Sequence, residues 1–183
     1  TVNELSHVAL FWSAAWWLLA ALGEISRFVP HERQGHVFLL VAVASLVVTA
    51  LFALHQRWPA LAVFSLALVP LGFAALLLTW HPAYHPLATL GWVAWPALFA
   101  AHFLMLRRVQ GLAPEVLIRV SHVLGCWLLL GVLALELRFL FFALAEHYNA
   151  WRWLGWVLVP CAFLMLMGLR RPLPWPVVAY PQE

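Results

Sequence analysis

The chain has 183 residues, of which 66% are hydrophobic and only 9% charged, whereas charged residues make up about a quarter of soluble globular proteins. A soluble domain of this size could not hide so much apolar surface in one core, so the composition excludes water as the main solvent and requires lipid. All ten basic residues are Arg and all seven acidic residues are Glu. The net charge of +3 is scattered over segment ends rather than gathered into a basic patch, which argues against nucleic acid as a partner.

In chain order, six apolar segments are long enough to span a bilayer: residues 6–28, 36–54, 60–80, 86–106, 117–145 and 151–169. A helix of about 20 residues covers about 30 Å, the thickness of the hydrocarbon core. None of the segments alternates apolar and polar residues as the strands of a membrane barrel do. The expected fold is therefore all-α: a polytopic transmembrane helical bundle of about six spans, forming one domain over residues 1–183. Prolines fall in the interruptions between spans, at Pro30, Pro59, Pro86 and Pro114, and at the start of a span the missing N–H of a proline costs little. Cys126 and Cys161 lie inside apolar runs and read as small buried hydrophobes.

Arginines at alternate segment ends set the orientation. Arg57, Arg107, Arg108, Arg119, Arg170 and Arg171 fall on one side, and Arg27, Arg33 and Arg152 on the other. Six against three predicts that both termini are cytoplasmic and that the loop at residues 81–86 lies outside. Trp58, Trp80, Trp151 and Trp153 suit an interfacial belt, while Trp12, Trp16, Trp17 and Trp127 lie deeper and are expected to pack between helices.

Segments also repeat. Gly91-Trp-Val-Ala-Trp-Pro96 before Leu106-Arg-Arg108 matches Gly155-Trp-Val-Leu-Val-Pro160 before Leu169-Arg-Arg171. Ser6-His7-Val8 followed by Trp12 and Glu24 matches Ser121-His122-Val123 followed by Trp127 and Glu136. The pattern predicts helical hairpins, each returning to arginine on the cytoplasmic side. Residues 175–181, which follow the sixth span as Trp58-Pro59 follow the second, would then open a seventh helix. With Thr1 in place of an initiator Met, this leads to the expectation of a trimmed chain or a piece of a longer one.

Three stretches resemble a known family: residues 16–28 (WWLLAALGEISRF), 91–108 (GWVAWPALFAAHFLMLRR) and 121–137 (SHVLGCWLLLGVLALEL). They are similar to segments of a bacterial group of very large, many-helix membrane proteins, domain of unknown function 2339. The resemblance implies a multi-pass protein of the bacterial inner membrane with more spans than six. It supplies no catalytic residues to carry over.

Charges inside spans cost at least a few kcal/mol each and usually face protein, water or each other. Glu24, Arg27, Glu136 and Arg138 are such residues, and under the repeat Glu24 and Glu136 are counterparts. Arg27 is three residues from Glu24 and shares its face, whereas Arg138 points away from Glu136 and needs a partner on another helix. These four either fasten the bundle through interhelical pairs or form a polar site between the first and fifth spans. Such a site could relay protons or hold a small ligand.

His7, His102 and His122 fall near the cytoplasmic ends of their spans. Together they are candidates for the axial ligands of a b-type haem, against the plainer reading that they bond at helix ends. His81, Tyr84 and His85 share a Pro-flanked loop, with His31 and Glu32 on the same side, but one loop offers at most two zinc ligands where three or four are needed. Pro70, Gly72, Pro96 and Pro160 could break spans and open a cavity. With no phosphate loop, HExxH or GxSxG motif, and no Asp for a triad, the sequence marks no catalytic site and predicts no cofactor. The readings in order are a structural or assembly module of a larger membrane protein, a proton-linked carrier using Glu24 and Glu136, and a haem redox protein. The expected partners are the lipid bilayer and other transmembrane segments.

Overall fold

The computed structural model describes residues 2–79, 85–144 and 151–168. These form seven helices in the order α1 (Val2–Phe28), α2 (His31–Gln56), α3 (Pro59–Ser65), α4 (Leu68–Leu78), α5 (Gly91–Val109), α6 (Glu115–Leu144) and α7 (Trp151–Gly168), and contain no strand. The fold is all-helical. Among the described residues, four segments are long and apolar enough to cross a membrane: Val8–Phe28, His31–Gln56, Pro59–Leu77 and Glu115–Phe141. α5, with Arg107 and Arg108 in its last turn, falls outside that set but packs within the same bundle.

Each break has a local cause. Pro30 pushes Val29 out of helical geometry, so α1 stops at Phe28. The Gln34 side chain then donates to the carbonyls of Val29 (3.0 Å) and Ser26 (3.5 Å), covering groups the helix end leaves unpaired. α2 stops where Arg57 turns into the left-handed region (φ 51°, ψ 44°) and the Trp58 N–H bonds Ala53 O at 2.9 Å. This is a helix stop normally taken by glycine. Pro59 starts the next helix.

The third expected span is divided. Pro70 has no N–H to offer the Leu66 carbonyl, and the chain tightens there. Leu66 N bonds Val63 O (3.0 Å) and Ala67 N bonds Phe64 O (3.1 Å), giving two short helices, α3 and α4. Pro96 and Pro160, by contrast, lie within α5 and α7 without ending either helix. The fourth span begins at Gly91 rather than at residue 86, because residues 86–90 form a turn closed by Ala88 N to His85 O and Gly91 N to Ala88 O.

The main core gathers Leu39, Leu46, Leu68, Val69, Trp95, Leu98, Leu128 and Val132 from α2, α4, α5 and α6. A second core at the other end joins Ala53, Leu61, Leu106, Val109 and Ile118. Trp95 is the large aromatic fully enclosed here. Of the four tryptophans expected between helices, Trp17 packs on the core. Trp12, Trp16 and Trp127 instead face outward, at 64%, 58% and 63% exposure. In lipid there is no hydrophobic drive to bury them. For the same reason Cys161 is exposed and Cys126 only half-buried, not the buried pair expected. Residues 81–84 and 169–183, including His81, Tyr84, Arg170, Arg171 and the expected seventh helix, lie outside the described set.

Candidate functional site

The strongest polar constellation forms where the turn at residues 85–90 meets α2 and α6. Glu136, on α6, points its carboxylate at this turn. His85 Nδ1 lies 2.9 Å from both carboxylate oxygens, and the Leu87 backbone N–H donates to Oε2 at 3.1 Å. Both side chains are about a quarter exposed (26% and 24%). The His85 ring stacks flat on Phe139, one turn along α6, with centroids 4.0 Å apart and 5° between planes. A carboxylate on a spanning helix is thus met by two N–H donors at the end of the bundle, which offsets its desolvation.

A second tie fastens the same turn. His36, in the first turns of α2 and only 4% exposed, shares a 3.1 Å hydrogen bond between its Nδ1 and Thr89 Oγ1. Thr89 holds a positive φ of 51°, unusual for a β-branched residue. The hydrogen bond to His36 ties the Thr89 side chain to α2. His36 Nε2 is buried with no hydrogen-bond partner among the described residues, 2.9 Å from where a Cβ at position 91 would stand. Gly91 is required here, because a Cβ would collide with the Pro86 carbonyl oxygen. Three elements therefore converge: α2 through His36, α6 through Glu136, and the start of α5 through Gly91.

Glu24 and Glu136 are not brought together. α1 packs chiefly on α2, and Glu24 and Arg27 are both exposed. The Arg27 guanidinium lies over the Phe28 ring, 5.3 Å from its centroid, and makes no ion pair with Glu24. Arg138 is half-buried and has no ion pair among the described residues.

The histidines form a separate locus. His102 on α5 is 1% exposed and donates from Nε2 to the Ser121 carbonyl of α6 at 3.2 Å. Its ring occupies the space that a side chain at position 125 would fill. His122 Nε2 lies 3.7 Å from Cys126 Sγ, and the Phe103 ring meets both imidazoles edge-on. One imidazole nitrogen of His102, Nε2, is therefore engaged by a backbone carbonyl. The side chain of His7 lies outside the described residues. No group of three metal-ligating side chains occurs among the described residues.

Sequence reasoning singled out Glu136 and, separately, His85, but did not join them, and it passed over His36 and Thr89. A signal was present. The expected topology puts the start of the second span, the loop at residues 81–86 and the outer half of the fifth span on one face of the membrane.

No curated protein and no solved structure matches the chain. The family model described as predicted membrane protein, DUF2339, matches residues 4–180, nearly the whole length, and the chain belongs to that family.

Proposed function

We propose that this chain is a structural, membrane-embedded helical module of a larger membrane protein, in which Glu136 fastens the turn at residues 85–90 to α6. The observation that carries this reading is the engagement of the Glu136 carboxylate by two groups of one turn. His85 and Leu87 take it up from the same turn. Between it and the His102–His122 locus, α6 presents Leu128 and Val132 to an apolar core with Leu98. A proton wire along that seam has no polar step among the described residues. The outward aromatic face of α1, with Phe11, Trp12 and Trp16, suits contact with lipid or further spans. The arginine distribution supports a cytoplasmic side at the Arg57, Arg107 and Arg108 end, and the family resemblance supports the bacterial inner membrane. The matched Gly-Trp and Ser-His strings support the hairpin repeat.

Glu136→Ala leaves two donors without an acceptor and should destabilise the detergent-purified chain by about 2–3 kcal/mol. Glu136→Gln keeps an acceptor and should cost about half as much. A carrier would behave differently. If Glu136→Gln left stability unchanged and abolished a pH-dependent flux in proteoliposomes, the structural reading would fail.

A further inference from the structure

The end of the bundle opposite the Glu136 cap carries positive charge without an acidic partner among the described residues, above an apolar row. Glu115, the acidic side chain described at this end, is taken by Arg119 at 3.3 Å. Arg57 after α2, and Arg107 and Arg108 in the last turn of α5, are exposed and have no acidic partner among the described residues. The second core holds these helix ends together, since Ala53 of α2 packs with Leu106 and Val109 of α5. Trp58, 37% exposed, sits beside Arg57 as an interfacial aromatic.

α5 is two-faced. Ala94, Trp95, Leu98, Phe99, His102, Met105 and Leu106 are buried in the bundle. On its other side Trp92, Pro96, Ala100, Leu104 and Arg108 recur at every fourth residue, and all are exposed. Residues spaced by four form one inclined row on a helix surface. From Arg108 back to Pro96 is 12 residues, about 18 Å of helix, close to the depth of one leaflet, about 15 Å. The row thus has the layout of a phospholipid: the Arg108 guanidinium at its end, with exposed Arg107 next to it in sequence, then a leaflet's length of apolar surface with small Ala100 in its middle.

We infer that α5 binds an anionic phospholipid, with the phosphate held by Arg107 and Arg108, Arg57 adding charge at the same end, and an acyl chain lying along Leu104 and Ala100. Guanidinium suits phosphate because its planar fork donates two parallel hydrogen bonds. The site is independent of Glu136, so the proposed function and this inference stand or fall separately.

The test is lipid retention by the delipidated, detergent-purified chain, read by native mass spectrometry with added phosphatidylglycerol or phosphatidylcholine. The wild-type chain should retain phosphatidylglycerol in preference, and raising the salt should weaken that preference. Each arginine neutralised should weaken binding about fivefold, so Arg107→Gln with Arg108→Gln should lose about 25-fold. Arg27→Gln with Arg33→Gln, at the other end, should lose little. Ala100→Trp, which leaves the charges in place, should also lose retention by covering the acyl path. Equal retention of both lipids by the wild-type chain would overturn the inference. So would an Arg107/Arg108 variant that binds no worse than the Arg27/Arg33 control. An Ala100→Trp variant that binds as well as wild type would remove α5 as the acyl path.

Discussion

Gly91→Ala is the smallest change that should open the cap. The added Cβ would overlap the Pro86 carbonyl oxygen and stand 2.9 Å from His36 Nε2. The first obstacle is backbone, which cannot rotate away, so either the turn at residues 85–90 or the start of α5 must move. Moving the turn pulls His85 and Leu87 from Glu136, and hydrogen bonds to a charged group contribute about 1.5–3 kcal/mol. Moving α5 instead overpacks Trp95 and Leu98 in the main core, at about 1–3 kcal/mol. Replacing glycine by alanine returns at most about 1 kcal/mol of chain entropy. The net expectation is a loss of about 2 kcal/mol. Gly131→Ala is the matched control: it lies in α6 with nothing within 4 Å of the new atom, and should be neutral or stabilise by about 0.5–1 kcal/mol. Unfolding of both variants in mixed micelles, followed by tryptophan fluorescence, measures the difference. If Gly91→Ala proved as stable as Gly131→Ala, the close approach of the turn to α5 would be wrong, and with it the account of the cap.

Two further outcomes follow from the other polar locus. Gly125→Ala should push the His102 ring off the Ser121 carbonyl and cost about 1–3 kcal/mol. Combined with His102→Ala it should cost clearly less than the sum of the two single changes, because residues in contact couple. The purified chain should show no Soret band after expression in haem-replete cells, since His102 Nε2 is engaged by a carbonyl; sharp reduced bands in the visible spectrum would restore the haem reading.

The all-helical membrane fold was legible because it rests on composition and segment length, which need no knowledge of contacts. The breaks were legible where chemistry is local. Pro30 and Pro59 mark boundaries by removing a donor and restricting their neighbours. Pro70 and Pro96 show the limit of that logic. Both were read as possible breaks, and only the span containing Pro70 divides. Whether a proline ends a helix depends on how its neighbours re-satisfy the freed carbonyl, and that is a tertiary fact. The outward tryptophans were misplaced for a related reason. Depth along a helix can be counted from sequence, but the direction a side chain faces is fixed by which helices pack together.

The candidate site was half legible, and the missing half is instructive. Glu136 stood out because a carboxylate in an apolar run must find donors. The repeat then suggested Glu24 as its counterpart across a seam, but internal similarity places residues at equivalent positions, not in contact. Glu24 lies on the exposed side of α1, while the donors for Glu136 come from a turn of only six residues, His85 to Leu90, whose path no periodicity predicts. What makes that turn specific is distributed. Gly91 permits the close approach, Thr89 adopts a positive φ, His36 bonds its hydroxyl, and Glu136 closes the end. Each of these residues reads as ordinary alone: a helix-start glycine, a loop threonine, a histidine near an interface, a charged residue in need of a neighbour. Together they hold the start of α5 against α2 and α6.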